Sequence, residues 1–394
     1  MQKSAAVTSV PLFDLKRQHK TIEAGLRAAF ERVLASGHYI MGPEVEGLEA
    51  ESAKLLGAKH AIAVSSGTDA LLLAFMALGL GPGDEVICPS FTFFATAGCV
   101  ARTGATPVFV DVRPGCFNLD PAAFEAAITK RTKAVVPVHL FGQCADMDPI
   151  LATAKKHRIA VVEDAAQSLS TRYKGRSAGT LGDFGCYSFF PTKNLGALGD
   201  AGLLTTEDDA LAEKARVLRV HGGKPKYYHQ TIGGNFRIDA LQAALLRVKL
   251  PLLAGFTERR RANAAHYRKA FVARGLSREA SCPGSGPCVA EGEKLILPPV
   301  CQPESIWNQF VVRVPGGKRD ALIAHLRAKN VGTEIYYPVP LHLQKCFEGK
   351  GARPVGTLPV SERAALETLA LPIFPELERA ELDYVVESVA SFFG

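Results

Sequence analysis

The stretch Ile159-Ala160-Val161-Val162-Glu163-Asp164-Ala165-Ala166-Gln167 decides the fold class of this chain. Four apolar residues in a row, without polar alternation, are typical of a parallel strand that is buried on both faces. An acid then stands where that strand ends. In open α/β sheets, ligands bind beyond the carboxyl ends of the strands. The stretch therefore predicts a parallel sheet and marks Asp164 as a candidate site residue.

Short strands alternate with helices on both sides of this stretch. We predict further strands at Ala61–Val64, Glu85–Cys88, Thr106–Val110 and Ala134–Val138, with a helix at Asp69–Leu80 after the first and others at Pro121–Ile128 and Ile150–His157. Strands that alternate with helices indicate a mostly parallel sheet flanked by helices. The fold class is therefore predicted to be α/β.

The remainder of the chain predicts helices around this sheet and a second, smaller domain. Helical periodicity predicts helices at Ile22–Leu34 and Glu44–Leu56, and a long helical stretch from Ala240 to Phe271. Beyond it, we predict elements of a small α+β domain at Phe310–Val314, Asp320–Lys329 and Thr333–Tyr337. We place the large domain at residues 1–255 and the small C-terminal domain at 256–394.

The composition favours a soluble protein that acts on a small anionic molecule. The 394 residues include 46 basic and 39 acidic ones, a net charge of +7, and the basic residues are spread along the chain. Such a spread does not imply nucleic acid, and a mild positive field suits an anionic substrate. No apolar stretch is long enough to span a bilayer, and the N-terminus lacks a secretory signal. We expect a cytoplasmic protein with no membrane partner.

The nine cysteines are expected to be mainly buried, reduced thiols, because they are scattered and odd in number. Cys282 and Cys288 flank a Pro-Gly-Ser-Gly-Pro run, so a small disulfide or half of a metal site is an alternative there. No second Cys or His pair stands at zinc spacing, and we predict no metal. A dinucleotide-binding dehydrogenase lacks support, since no Gly-x-Gly-x-x-Gly opens the first strand–helix unit.

Residues just after four predicted strands form one coherent set. Ser65-Ser66-Gly67-Thr68 opens a helix whose N–H groups and dipole attract an anion, although the same residues suit an ordinary N-cap. Asp164 would pair with the protonated nitrogen of a cofactor ring. The alternative is that Asp164 is only an acid at a helix N-terminus. Phe93, in an aromatic run after another strand, would stack on a flat ring, or belong to a core aromatic cluster.

Lys193 completes the set. It lies in Ser188-Phe189-Phe190-Pro191-Thr192-Lys193-Asn194, a tight turn followed by glycines. A lysine amine in a partly desolvated pocket loses its proton more readily and becomes nucleophilic, whereas a lone lysine in a turn is usually solvated. A phosphate cradle, an acid after a strand and this lysine are the three parts that a pyridoxal 5′-phosphate (PLP) site requires.

These candidate site residues, together with several longer segments, resemble the DegT-type PLP-dependent nucleotide-sugar aminotransferases, a branch of the fold-type I aspartate aminotransferase superfamily. The likeness runs from Phe13-Asp14-Leu15 and Tyr39-Ile40-Met41-Gly42-Pro43 through Gly81-Pro82-Gly83-Asp84-Glu85-Val86 to Tyr336-Tyr337-Pro338. It covers nearly the whole chain apart from an excursion at 282–292. The resemblance implies a fold-type I PLP transferase that works as a homodimer with shared active sites.

The resemblance also implies roles for single residues. Lys193 would carry the cofactor and shuttle the proton, and Asp164 would bind the pyridine nitrogen. The other expected cofactor contacts are Gln167 on the ring hydroxyl, Gly67, Thr68 and Ser188 on the phosphate, Phe93 on the ring face, and Asn235 on the phosphate of the neighbouring subunit. Phe93 stands where the family often has Trp or Tyr. A phenylalanine keeps the stacking on the ring but loses any polar contact.

For the substrates, the resemblance implies glutamate as amino donor and a nucleotide-linked keto sugar as acceptor, with carbon 3 favoured. The segments 221–229 and 336–342 look like those of 3-keto-sugar aminotransferases. Within and near them, His229, Arg237 and His342 are the candidate substrate contacts, against the alternative of a solvated basic loop with structural tyrosines. A ketone without a nucleotide, such as a cyclitol, and a catalytically inactive regulatory relative remain alternative functions.

Overall fold

The computed structural model describes residues 7–278, 294–302, 304–349 and 352–394. The alternatives raised for Cys282 and Cys288 lie outside these ranges. The expectation of buried thiols is confirmed for Cys88, Cys99, Cys144 and Cys186. It is wrong for Cys301, which is disulfide-bonded.

An eight-stranded sheet forms the centre of the fold. Its strands, in order across the sheet, are β1 (His60–Val64), β9 (Gly202–Thr206), β8 (Phe184–Ser188), β5 (Ala160–Asp164), β4 (Thr132–Val135), β2 (Glu85–Pro89), β3 (Thr106–Val110) and β11 (Arg353–Pro354). Within this sheet only β9 runs against its neighbours. The short strands β6 (Arg172–Tyr173) and β7 (Arg176–Ser177) form a separate antiparallel pair. The predicted mostly parallel sheet is confirmed, and the carboxyl ends of β1, β2, β5 and β8 share one edge.

Helices cover both faces of this sheet. They are α1 (Leu15–Ser36), α2 (Pro43–Leu56), α3 (Gly67–Leu78), α4 (Ala95–Arg102), α5 (Pro121–Ala127), α6 (Met147–His157), α7 (Asp209–Arg219) and α8 (Ala240–Lys249). Alternate residues of β1 belong to different cores: Ile62 and Val64 pack with α3 and α7, whereas Ala61 and Ala63 pack with α1, α2 and α8. Strands buried on both faces explain the continuous apolar runs in the sequence.

A second core lies around a two-stranded antiparallel sheet. Its elements are α9 (Leu253–Ala273), β10 (Phe310–Arg313), α10 (Arg319–Ala328), β12 (Thr368–Leu371) and α12 (Arg379–Phe393). Helix α11 (Pro359–Glu367) packs instead with Phe91 and Tyr337 in a smaller cluster. Val10 packs into the second core, and β11 pairs with β3 of the large sheet. Segments therefore cross in both directions between the two cores, and the domain boundary near residue 255 stays a proposal.

Two predicted elements differ from the structure. Helix α1 begins at Leu15, seven residues before the predicted Ile22, because Asp14 caps it by accepting hydrogen bonds from the backbone N–H groups of Lys16 and Arg17. The first turns are polar, so hydrophobic periodicity did not reveal them. Residues 333–337 do not form a strand; within them only Glu334 makes a bridge, to Ala370.

The stretch Ala240–Ala273 is long and apolar enough, by length and composition, to cross a membrane. Its most apolar window is half buried inside the protein. Pro251 divides the stretch, since α8 and α9 are separated by a short 3₁₀ turn at Leu250–Leu252. Its buried residues pack into the protein cores, as expected of a core helix.

Candidate active site

A cavity of about 410 Å³ opens at the carboxyl edge of the parallel strands. It is lined by residues at or just after the ends of β1, β2, β4, β5 and β8, and by Gln309, Tyr336 and Tyr337 from the C-terminal half of the chain. Seven of the predicted site residues line it: Gly67, Thr68, Phe93, Asp164, Gln167, Ser188 and Lys193. The volume falls in the range of small-molecule sites.

Lys193 lies in the turn that follows β8 and faces this cavity. Its backbone N–H donates to the carbonyl of Phe190 (2.8 Å), and Lys249 Nζ donates to the carbonyl of Gly196 (2.5 Å) farther along the turn. A Cβ on Gly196 would lie 2.2 Å from the carbonyl oxygen of Pro191, so the tight turn requires glycine there. Burial lowers the pKa of Lys193 to about 8, and the Asp164 carboxylate opposes part of that shift. An amine with a pKa of about 8 is about one-tenth neutral at pH 7, so a nucleophilic fraction is present near neutral pH.

Asp164 is the last residue of β5 and is 5% exposed. Its Oδ2 accepts a hydrogen bond from Thr96 Oγ1 (2.8 Å), and its Oδ1 accepts one from the N–H of Ala166 (3.2 Å). Burial raises the pKa of Asp164, and these two hydrogen bonds oppose the rise. Among the described residues no cation forms an ion pair with it. A buried carboxylate at the cavity wall is thus suited to a cationic ligand group.

The start of α3 forms an anion cradle beside Lys193. Ser66 caps the helix by accepting from the N–H of Asp69 (3.0 Å), so that Gly67 and Thr68 line the cavity in the first turn. A Cβ on Gly67 would lie 2.7 Å from Ser188 Cβ, so glycine is what lets β8 approach the helix start. Unpaired N–H groups and the positive end of the helix dipole favour an anion here.

Gln167 has both ends of its amide fixed. Its Oε1 accepts from the N–H of Phe141 (2.7 Å), and its Nε2 donates to Tyr337 Oη (2.8 Å). Phe93 is 57% exposed and lies on the cavity wall, so it belongs to the site rather than to a core cluster. Phe91, two residues earlier, does pack in the core against Phe117 and Tyr337.

Asn235 and Arg237 lie outside this cavity. They line a separate, open depression of about 320 Å³, in which Arg237 Nε donates to Asn235 Oδ1 (2.8 Å). Asp200 lines both the cavity and the depression. The two predicted residues are thus next to the site but do not face it in one subunit.

The two candidate histidines are placed differently from the other predicted residues. His342 is inserted between Ser90 Oγ (2.6 Å from Nδ1) and Glu362 Oε1 (3.3 Å from Nε2), so both ring nitrogens have protein partners. His229 is exposed and donates from Nδ1 to the carbonyl of His221 (2.9 Å). Neither residue lines the cavity. The structure therefore gives no support for direct substrate contact by His342, which instead ties its segment to the end of β2.

Sequence reasoning missed Thr96, and it placed Tyr336 and Tyr337 in a segment resembling 3-keto-sugar aminotransferases without giving either tyrosine a role. Thr96 lies inside an apolar helix and is fully buried, so no sequence signal linked it to Asp164, 68 residues away. Tyr336 and Tyr337 reach the cavity from the C-terminal half. These contacts depend on tertiary packing that local patterns do not encode.

The pattern that defines the DegT/DnrJ/EryC1/StrS aminotransferase family matches residues 20–390. The chain belongs to this family. It is therefore a PLP-dependent aminotransferase, of fold-type I.

Proteins with very different names are similar to this chain. A pleiotropic regulatory protein of Geobacillus stearothermophilus is 47% identical over 386 residues, covering 98% of this chain and 99% of that protein. A dTDP-3-amino-3,4,6-trideoxy-alpha-D-glucose transaminase of Streptomyces venezuelae is 44% identical over 391 residues, covering 99% and 97%. A crystal structure of S. venezuelae DesV in complex with a ketimine intermediate has a TM-score of 0.89, with 43% identity and coverage of 98% and 99%.

The residues of the cavity fit the family cofactor. PLP carries a phosphate, a basic ring nitrogen, a ring hydroxyl and an electrophilic carbonyl. The cavity offers an anion cradle that depends on Gly67, a buried carboxylate without a cationic partner among the described residues, the fixed amide of Gln167 and the amine of Lys193. Each group of the cofactor thus has a chemically matched residue.

Proposed function

We propose that this chain transfers an amino group from glutamate to a keto group, at carbon 3, of a nucleotide-linked sugar in amino-sugar biosynthesis. The observation that carries the proposal is the amine of Lys193 in one cavity with the Asp164 carboxylate and the anion cradle of α3. The name of the 44% identical Streptomyces venezuelae relative, a dTDP-3-amino-sugar transaminase, supports the acceptor class and the carbon.

Lys193 is proposed to hold the cofactor and to move the proton of the substrate carbon. Its pKa of about 8 lets the same amine accept and return a proton near neutral pH. When bound, PLP supplies an electrophilic carbonyl and an electron-withdrawing ring. Asp164, fixed by Thr96, keeps the ring nitrogen protonated, since a carboxylate beside a basic nitrogen favours its charged form.

The remaining cofactor contacts are proposed from their positions around the cavity. Gly67 and Thr68 donate backbone N–H groups to the phosphate at the start of α3, and Ser188 adds its hydroxyl. Gln167 contacts the ring hydroxyl, and Tyr337 orients its amide. Phe93 covers one face of the ring, because its exposed side chain lies on the cavity wall.

We further propose a homodimer in which Asn235 of one subunit completes the site of the other. Asn235 is exposed in a depression that shares Asp200 with the cavity. The segment leading to it exposes apolar side chains, with Tyr227 79%, Tyr228 70% and Ile232 88% exposed. Such apolar exposure marks a contact surface, and a second subunit would cover it. A cytoplasmic location remains a prediction, as does the absence of membrane and nucleic-acid partners.

Mixing two inactive variants tests the shared site. Asn235→Ala alone should retain PLP poorly, and Lys193→Ala alone should not turn over. In a mixed dimer, one site combines an intact Lys193 with an intact Asn235 from the other subunit, so about one site per mixed dimer should work. Activity is measured after co-refolding and after separate refolding. No recovery in the co-refolded sample would show that Asn235 serves its own subunit.

A matched pair of acceptors tests the substrate. The purified enzyme is given glutamate and either a nucleoside-diphosphate 3-keto sugar or the same sugar without its nucleotide, with a cyclitol ketone as the third acceptor. We expect amination of the nucleotide-linked sugar alone, with the new nitrogen located at carbon 3 by NMR. Equal turnover of the cyclitol would favour the non-nucleotide alternative.

A regulatory role is a second candidate, because the 47% identical relative is named a pleiotropic regulatory protein. The two roles differ in one observable. An enzyme converts its bound cofactor with glutamate and is regenerated by a ketone, whereas a catalytically inactive relative retains the cofactor unchanged. Failure of every acceptor, with the cofactor bound and unreactive toward glutamate, would favour the regulatory role.

A further inference from the structure

Arg260, on α9, is a buried cation whose hydrogen-bond partners among the described residues are all neutral carbonyl groups. Its side chain is 6% exposed, and its Nη1 donates to the carbonyl oxygens of Trp307 (3.3 Å), Asn308 (3.2 Å) and Ile373 (3.3 Å). Its Nε is buried and has no hydrogen-bonding partner among the described residues. Nη2 likewise bonds to none of them. The Nε–Nη2 edge of a guanidinium can donate to both oxygens of a carboxylate.

Arg260 has no ion-pair partner in the part of the chain that the structure describes. Burial lowers its pKa to about 10, which still leaves it cationic at neutral pH, and Glu376 opposes this shift without forming an ion pair. Arg313, a comparably buried arginine, is paired with Glu367. A buried charge without a partner is strongly unfavourable, so a bound anion would stabilise this region.

Arg260 lies next to the active-site cavity. It lines a small cavity of about 20 Å³, and three residues of that lining, Thr192, Gln309 and Tyr336, also line the large cavity. Thr192 immediately precedes Lys193. Arg260 therefore lies behind the part of the large cavity wall that these three residues form, on the side of the cavity where Thr192 leads into Lys193.

We propose that Arg260 binds a carboxylate of the amino donor. The proposal rests on the proposed function, which supplies an amino-acid donor, and adds the residue that recognises it. The anion cradle of α3 is already assigned to the cofactor phosphate, so the donor needs a separate cation. A uronate on the acceptor sugar would present the same carboxylate chemistry. The amino donor reacts in one half-reaction and the keto sugar in the other, so separate measurement of the two distinguishes these sources.

The test uses Arg260→Met and Arg260→Lys in the PLP-loaded enzyme, with Arg261→Met as matched control. Arg261 belongs to the same helix and also donates to backbone carbonyls, those of Ser305 and Glu304, but it does not line either cavity. Stopped-flow absorbance gives the apparent Kd for glutamate in one half-reaction and for the keto sugar in the other. Calorimetry with glutarate measures dicarboxylate binding without turnover.

In Arg260→Met we expect the apparent Kd for glutamate to rise about 10- to 100-fold, as for loss of a charge-assisted hydrogen bond. Glutarate binding should weaken in parallel, and the keto-sugar half-reaction should change less than about twofold. Arg260→Lys should recover part of the affinity, and Arg261→Met should match the wild type. A merely structural Arg260 would lower the melting temperature and impair both half-reactions alike.

Equal losses in both half-reactions, a loss confined to the keto-sugar half, or unchanged glutarate affinity would each overturn the proposal. A wild-type enzyme that accepts no amino acid as donor would instead overturn the proposed function. The two failures are thus distinguishable in the same set of measurements.

Discussion

Replacing Lys193 with alanine should abolish turnover and leave the fold intact. The Lys193 side chain makes no hydrogen bond to a described residue, and its amine faces the cavity, so little packing depends on it. The reaction loses both the group that holds the cofactor and the one that moves the proton. We expect kcat to fall by at least about four orders of magnitude, the upper range for removal of a general acid–base group.

The control for this variant is Lys193→Arg, which keeps a positive charge but cannot supply a neutral amine near neutral pH. Both variants should melt near the wild-type temperature and should lack the visible absorption of the lysine-bound cofactor. Steady-state rates, circular dichroism and absorbance spectra measure the three properties. Activity of the alanine variant within about tenfold of the wild type would remove Lys193 from the mechanism.

Replacing Asp164 with asparagine should lower the single-turnover rate by about two to three orders of magnitude, as for loss of one charged stabilising group in a buried site. The amide keeps the shape of the carboxylate and can still accept from Thr96, so the change is mainly one of charge. A neutral partner no longer favours the protonated ring nitrogen, and the ring withdraws electrons less strongly.

Thr96→Val is the matched control for Asp164. It removes one hydrogen bond to the carboxylate and keeps both the volume and the charge, so we expect a loss of only about tenfold. Rapid-mixing absorbance measures both rates, and thermal melting reports the fold. A single-turnover rate in Asp164→Asn equal to that of the wild type would show that this carboxylate does not act on the cofactor.

The parallel sheet and the cofactor residues were predictable because they follow local patterns. Apolar runs such as Ile159–Val162 reveal doubly buried strands, and the topology then brings the strand ends to one edge. Asp164 and Lys193 line one cavity although 29 positions separate them. They lie close together because β5 and β8 are adjacent parallel strands, and each strand ends in a site residue, Asp164 or Ser188.

Other parts of the site could not be predicted because they depend on side-chain contacts between distant segments. Thr96 and Arg260 carry no local signal, since each occurs inside a helix. His342 was a candidate substrate contact through the resemblance of its segment, which could not show that Ser90 and Glu362 lie at its two ring nitrogens; substrate contact by His342 stays a prediction. Polarity in a sequence identifies a candidate, and only packing decides whether a ligand or the protein satisfies it.

The most direct test of the central claim is to reduce the PLP-loaded enzyme with borohydride and map the modified lysine by peptide mass spectrometry. We expect the label on Lys193, its loss when glutamate is added before reduction, and its return after a nucleotide-linked 3-keto sugar follows. Lys249 is the internal comparison, because burial also lowers its pKa to about 8 but it does not line the cavity. A label on Lys249, or a label on Lys193 that glutamate leaves unchanged, would contradict the account.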